Sequence, residues 1–78
     1  MLSLDQLRPG QRGEIVSLDA DVTASGRLME MGLLEGEEIE VLGFAPLGDP
    51  MEVRLRDYRL SLRRSEAARI AVQPRGAS

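Results

Sequence analysis

The clearest alternation of apolar and polar residues occupies two stretches in the second half of the chain. In the first, Ile39 and Val41 alternate with glutamates. In the second, Met51, Val53 and Leu55 alternate with charged residues. A period of two sends successive side chains to opposite faces of a strand. Both stretches therefore predict strands with one buried side and one solvent-facing side.

The residues after the second stretch predict a β-hairpin. With Asp57-Tyr58 as a two-residue loop, Leu55 lies opposite Leu60. The same register places Val53 opposite Leu62, so apolar residues meet across the two strands. The loop chemistry is imperfect, because a type I′ turn prefers glycine at the second loop position.

The stretch from Asp21 to Met31 predicts the one substantial helix. Gly32 is expected to end it as the C′ residue, in a left-handed conformation. That assignment puts Leu28 at C3 and Leu33 at C″, the two apolar positions that meet in a Schellman cap. The end of this helix is therefore a specific prediction.

Two shorter elements are predicted near the start of the chain. Gly13 to Leu18 has β-branched residues at its centre and predicts the first strand, although its apolar positions do not choose a buried face. Before it, Ser3 can cap a helical turn over Leu4 to Leu7. This turn is expected to act as a lid over the strands.

Glycine and proline predict the turns between the strands. Gly36 is the third residue of the tight turn Leu34–Glu37, where a type II turn needs a positive φ. Gly43 interrupts the first alternating stretch and is expected at a bulge. The loop that follows is predicted to be held by four turn residues, namely Pro46, Gly48, Asp49 and Pro50.

The elements together predict a mostly β fold. Ser65 can cap a brief turn, Ile70 to Val72 predicts a last strand, and residues 73–78 form a polar tail. The total is about five short strands with one α-helix inserted after the first strand. Because a flat sheet of short strands leaves its edges open and one face wet, we expect a small SH3-like barrel over residues 1–78 as a single domain. An OB-fold is the alternative, and it would place the helix between the third and fourth strands.

Composition narrows the possible chemistry. The 78 residues contain no cysteine, histidine, lysine or tryptophan. The chain therefore lacks the usual general base, thiolate nucleophile and Schiff-base amine, and an enzyme is not expected. Disulfide and zinc stabilisation are excluded as well.

Charge is distributed unevenly along the chain. Residues 1–53 contain eleven acidic residues and three arginines, whereas residues 54–78 contain seven arginines and two acidic residues. The arginines at positions 54, 56, 59, 63 and 64 are expected on the outer face of the hairpin, where glutamates of neighbouring strands can neutralise them or a partner can bind them. A net charge of −3 and two aromatic residues, one tyrosine and one phenylalanine, disfavour nucleic acid as that partner.

Several segments, in this order and at this spacing, closely resemble the FeoA family. They are Arg27 to Leu33, the Gly36 turn, Ala45 to Pro50, Tyr58 to Arg64, and Glu66-Ala67. FeoA proteins are small cytoplasmic SH3-like barrels of ferrous iron uptake, encoded with the membrane permease FeoB, whose cytoplasmic part carries a GTP-binding domain. The resemblance thus implies an accessory protein that docks on that permease. Family members often have proline where this chain has Glu35 and glycine where it has Asp57, and the turn chemistry tolerates both changes.

Iron itself is not predicted to bind. The carboxylates that could supply oxygen ligands are Glu35, Glu37, Glu38, Glu40 and Asp49. A selective ferrous site usually includes imidazole or thiolate, which this chain cannot offer. We therefore predict that the protein serves iron transport with no bound metal and no cofactor.

The predicted partner contacts are exposed apolar residues and turn residues. Met29 lies off the apolar face of the predicted helix, beside the helix end that contains Leu33. The proline-bracketed loop presents Leu47 at its tip, and the hairpin presents Arg56 and Tyr58. These five residues are the candidate docking contacts.

Two other functional classes stay open. One is a regulatory module, because similar SH3-like domains form the C-terminal part of metal-dependent repressors of the diphtheria toxin repressor type. The other is a nucleic-acid-binding barrel, which the acidic pI of about 4.9 disfavours. With no apolar run near the length of a membrane span and no basic leader, the expected location is cytoplasmic, without membrane insertion. Exposed edge strands make weak self-association conceivable.

Overall fold

The computed structural model describes residues 2–18, 26 and 28–75, and six strands of these residues form one antiparallel sheet. The strands are β1 (Leu2–Ser3), β2 (Arg12–Leu18), β3 (Glu38–Phe44), β4 (Met51–Leu55), β5 (Tyr58–Leu62) and β6 (Ile70–Arg75). Their order across the sheet is β1-β6-β2-β3-β4-β5. A 3₁₀ helix spans Leu4–Gln6 and a short α-helix spans Arg64–Ala67. The predicted mostly β fold is thereby confirmed, with six strands rather than about five. The predicted helix follows the second strand and not the first, because Leu2–Ser3 forms an additional strand before it.

The core is apolar throughout, and no described polar or charged side chain is buried. The alternation predicted for β3 and β4 is confirmed, because their apolar residues face inward and the charged residues between them face solvent. Residues from β2 to β6, the two short helical elements and the helix end at Gly32 all contribute. The buried side chains are Leu4, Leu7, Ile15, Leu28, Leu33, Ile39, Val41, Met51, Val53, Leu55, Leu62, Ala67, Ile70 and Val72.

Irregularities in β2 and β3 explain where alternation fails. The register between β2 and β6 shifts between Ile15 and Ser17, so Val16 is an extra residue that faces solvent. Because the bulge shifts the alternation within β2 by one residue, the sequence pattern does not indicate which face of this strand is buried. A second register shift lies between Val41 and Gly43 in β3, as predicted.

The hairpin register differs from the prediction by two residues. Leu55 is paired with Tyr58, not with Leu60, so the loop is Arg56-Asp57 and Tyr58 begins β5. Arg56 occupies the left-handed region, with φ of 60°. A two-residue shift keeps every side chain on its predicted face, so alternation could not distinguish the two registers. The observed register places tyrosine, a good strand former, in the strand and not in the turn.

The end of the predicted helix has the expected cap. Residues 28–30 are helical, and Gly32 has φ of 93°. The amide of Leu33 donates to the Leu28 carbonyl at 3.1 Å, and the amide of Gly32 donates to the Met29 carbonyl at 3.0 Å. These are the two hydrogen bonds of a Schellman cap. The start of this helix, from Asp21 to Ser25, lies outside the described residues.

Both ends of the chain contain more strand than predicted. Leu2 and Ser3 pair with β6, and Ser3 then precedes the 3₁₀ helix, with its amide donating to the Gln6 side chain at 2.9 Å. The predicted polar tail is wrong for residues 73–75, which continue β6 and pair with β2. Residues 76–78 lie outside the described part of the chain.

The side chain of Asp49, and not the predicted Ser65, caps the start of the short α-helix. The amide of Arg64 donates to Asp49 Oδ1 at 3.0 Å, and the helix begins before Ser65. The loop that contains Asp49 turns at Gly48, whose φ is 89°. The predicted turn role of this loop is thus accompanied by a second role, since it caps a helix that follows fifteen residues later.

The turn at Gly36 forms as predicted, and it forms although Glu35 stands at the position where proline is common. The Glu37 amide donates to the Leu34 carbonyl at 3.1 Å, and Gly36 has φ of 91°. Among the described residues, no helix is long and apolar enough to cross a membrane.

Candidate interaction surface

The hairpin loop and the helix end meet at one end of the sheet. The Tyr58 hydroxyl donates to the Met31 carbonyl at 2.9 Å. This hydrogen bond satisfies one of the carbonyls that the last helical turn leaves without an intrahelical donor. Tyr58 keeps 41% of its surface exposed, so its ring lies on the protein surface beside the helix end. We call the loop Arg56-Asp57, Tyr58 and the helix end at Met31 and Gly32 the hairpin end.

Arg56 is held at the hairpin end by two parallel hydrogen bonds. Its Nε donates to Glu37 Oε1 at 2.8 Å and one terminal nitrogen donates to Glu37 Oε2 at 2.6 Å. A bidentate arginine–carboxylate pair has a defined geometry, and here it is formed by an arginine whose backbone lies in the left-handed region. The hydrogen bonds from Arg56 lower the pKa of the Glu37 carboxyl below its ordinary value.

This ion pair predicts an acid-dependent contribution to stability. Since the pKa of Glu37 is lower in the folded state, the contribution is present above the unfolded pKa and is lost as the pH falls through the folded pKa. Urea unfolding of wild type and Glu37→Gln from about pH 7 to about pH 3 should show a smaller loss of stability in the variant. Glu38→Gln is the matched control, because no ion pair joins Glu38 to another described residue. Equal pH profiles for wild type and Glu37→Gln would contradict this prediction.

An apolar depression lies beside the helix end. Its lining consists of Leu18, Met29, Leu34 and Glu35, and its volume is about 350 Å³. Met29 is 52% exposed and Leu34 is 41% exposed. Leu18 was not predicted as a surface residue, because the bulge at Val16 shifts the alternation of the strand before it reaches Leu18. Apolar side chains on a solvent-facing depression of this kind are typical of interaction surfaces.

The structure corrects one candidate contact and separates another from the rest. Leu33 is fully buried, because its position at C″ packs it against Leu28 in the core, so it cannot be a surface contact. Leu47 is 97% exposed but lies in the loop between β3 and β4. The loop and the hairpin lie at opposite ends of β4, a strand of five residues that is about 17 Å long at 3.4 Å per residue. Arg56 and Tyr58 lie together at the hairpin end, whereas Met29 lines the separate depression beside the helix end that Tyr58 contacts.

Three of the acidic residues considered as iron ligands, Glu37, Glu38 and Glu40, line one depression, and they share it with three arginines, Arg12, Arg54 and Arg56. Glu37 is bound to Arg56, and Glu40 accepts a hydrogen bond from Arg54 at 2.5 Å. Asp49 accepts from the backbone at the opposite end of β4. In the part of the chain that the structure describes, no three acidic side chains are grouped so that they could hold a metal ion.

Comparison with known proteins finds a family model and a curated relative that agree with each other. The model of the FeoA domain matches residues 2–74. A fusion of Fe(2+) transport protein A with the Fe(2+) transporter FeoB, from Porphyromonas gingivalis, is 39% identical over 72 residues. The match covers 92% of this chain and 8% of the fusion protein, so the chain spans a small part of that relative.

Solved structures agree in fold. A FeoA-like protein from Clostridium acetobutylicum superimposes with a TM-score of 0.91 at 34% identity, covering 99% of this chain and 90% of that protein. FeoA of Stenotrophomonas maltophilia, in complex with zinc and described as a prokaryotic SH3 domain protein, superimposes with a TM-score of 0.81 at 30% identity. That alignment covers 94% of this chain and 91% of the other. The fold of this chain is SH3-like, as predicted, and the alternative OB-fold is wrong.

Proposed function

The chain belongs to the FeoA family of ferrous iron transport, and we propose that it is a non-enzymatic accessory protein that docks on the cytoplasmic part of a FeoB-type membrane permease. The observation that carries this proposal is the Porphyromonas gingivalis fusion, in which a domain 39% identical to this chain is covalently joined to the transporter. Domains that are fused in one organism commonly act as partners when they are separate chains in another. Docking would place the protein in the cytoplasm.

The residues of the chain suit a docking role better than a chemical one. Histidine, cysteine and lysine are absent from the sequence, which removes the common nucleophiles and the usual general base at neutral pH. The exposed groups are instead suited to contact: an apolar depression at Met29, a half-exposed tyrosine bonded to the helix end, and the exposed Arg56–Glu37 pair. Interfaces are enriched in arginine, methionine and tyrosine. The hairpin end is therefore the proposed docking surface.

Deletion of the gene tests the proposal directly. We expect ferrous uptake to fall in the deletion strain, and we expect an affinity-tagged copy of the chain to co-purify the permease. Re-expression of the wild-type chain should restore both results. Normal uptake in the deletion strain, together with no association, would contradict the accessory role.

Two matched variants locate the surface. Met29→Glu introduces a charge into the depression without touching the core, and it is expected to reduce association with the permease about tenfold, the effect of an unpaired charge in an apolar contact. Leu47→Glu makes the same kind of change at the opposite end of β4 and is expected to leave association within about twofold of wild type. Loss of association in Leu47→Glu alone would place the docking surface at the loop, and the assignment to the hairpin end would be wrong.

A further inference from the structure

One row of side chains across the solvent face of the sheet is dominated by arginine. Residues that are paired in antiparallel strands point to the same face. Following the register from β6 to β5, the row consists of Arg75, Arg12, Glu40, Arg54 and Arg59. We call it the arginine row. It places four guanidinium groups and one carboxylate side by side on a protein whose net charge is −3.

The positive charge is uncompensated where the row reaches the edge of the sheet. Arg54 is paired with Glu40, and Arg75 is paired with Glu14. Arg59 is exposed and forms no hydrogen bond or ion pair with another described residue. It also lies directly opposite Arg54, and like charges at opposed positions are unfavourable. The side chain of Arg59 thus forms no ion pair within the described part of the fold, and the carboxylate of Glu52 on the same face lies diagonal to it, not opposite.

The backbone beside Arg59 is also open. In the part of the chain that the structure describes, β5 has β4 as its only strand neighbour. Leu55 and Tyr58 close the two-residue loop and therefore form a hydrogen-bonded pair. Because such pairs alternate with non-hydrogen-bonded pairs, the amides and carbonyls of Arg59 and Ser61 point away from β4. These four groups form a template for a further strand.

We propose that an extended acidic segment of the partner pairs with β5 as an added strand and places a carboxylate opposite Arg59. In the added strand, the residue next to that carboxylate faces the opposite side of the sheet, beside the half-buried side chain of Leu60. An apolar residue fits there, so the expected sequence alternates an acidic with an apolar residue. This inference rests on the proposed function, since it takes the permease as the partner that carries the segment.

Charge favours this occupant over a second copy of the chain. Pairing of two β5 strands would bring two arginine rows together end to end, with their Arg59 side chains on adjoining positions. A charged residue on an edge strand is a common device that opposes such self-pairing. An acidic strand removes the same charge repulsion and gains the backbone hydrogen bonds.

Two variants of β5 and one control test the inference by binding of the purified permease in detergent. Arg59→Glu reverses the charge and is expected to raise the Kd about tenfold or more. Ser61→Pro removes an amide that points outward and leaves the bonds to β4 intact, so a rise of about tenfold is expected without unfolding. Arg69→Glu is the control for net charge, because Arg69 is exposed but belongs neither to β5 nor to the arginine row. It should stay within about twofold of wild type.

Hydrogen exchange of the complex gives an independent measurement. The amides of Arg59 and Ser61 should exchange more slowly when the permease is bound, because each gains a hydrogen-bond acceptor. Equal affinity of wild type, Arg59→Glu and Ser61→Pro would overturn the added strand while the accessory role stands. Absence of binding by the wild-type chain would overturn both proposals. An equal loss of affinity in Arg69→Glu would also overturn the added strand. So would self-association of the chain that Ser61→Pro abolishes while binding of the permease is unchanged.

Discussion

Replacing Leu33 with alanine is expected to destabilise the fold by about 2–5 kcal/mol, the range found when a large core residue is truncated. Leu33 is fully buried and packs at the helix end against Leu28. For a domain of 78 residues the total free energy of unfolding is about 4–12 kcal/mol. The substitution therefore removes a large share of the stability, and urea unfolding followed by circular dichroism should show a much lower midpoint.

Met29→Ala is the matched control for this substitution. Met29 lies four residues earlier at the same helix end, but it is 52% exposed and lines the apolar depression. Its truncation should change the free energy of unfolding by no more than about 0.5 kcal/mol. A Leu33→Ala variant as stable as Met29→Ala would show that Leu33 does not support the core.

The two leucines of the helix cap show how far local pattern reaches. A glycine preceded and followed at fixed distances by apolar residues predicts a Schellman cap, and all the residues of that motif are close in sequence. The prediction of the cap was therefore confirmed in detail. The same motif implies contact between Leu28 and Leu33, and this contact argues for burial of Leu33. Treating Leu33 as a surface contact was inconsistent with the cap that its position predicts.

The hairpin shows where local pattern stops. Two registers that differ by two residues bury the same side chains, so alternation along β4 and β5 fits both. The contacts that accompany the observed register are distant in sequence, since Arg56 binds Glu37 nineteen residues away and Tyr58 binds Met31 twenty-seven residues away. No inspection of the loop residues alone could supply them.

The C-terminal strand was underestimated for a related reason. Residues 73–75 are polar and include Pro74, which ordinarily argues against a strand. In the structure β1 pairs with β6, and Ser3 lies opposite Ala71 and Leu2 opposite Val72. Beyond Val72, the side of β6 that faces β1 has no partner among the described residues. Proline is tolerated at such an edge. The position of Arg75 in the arginine row depends on this extension, and for that reason the row was not visible in the sequence.

Gly32→Ala is expected to destabilise the protein by about 2–3 kcal/mol through two separable costs. The first is the left-handed backbone, since Gly32 has φ of 93° and an L residue in that region costs about 1–2 kcal/mol. The second is a close approach, because a Cβ at this position would lie well inside van der Waals distance of the Tyr58 hydroxyl oxygen. The tyrosine would have to move, and its hydrogen bond to Met31, worth about 1 kcal/mol, would be lost.

A double-mutant cycle with Tyr58→Phe separates these costs. Phenylalanine has no hydroxyl, so in that background the added Cβ meets no oxygen and Gly32→Ala should cost only the backbone part, about 1–2 kcal/mol. The two substitutions should therefore be less than additive by about 1 kcal/mol in urea unfolding. Strict additivity would mean that the tyrosine moves aside without losing its bond to Met31, and the second cost of Gly32→Ala would then be absent. The coupling thus measures the interaction between residue 32 and the Tyr58 hydroxyl, the group that joins the helix end to β5.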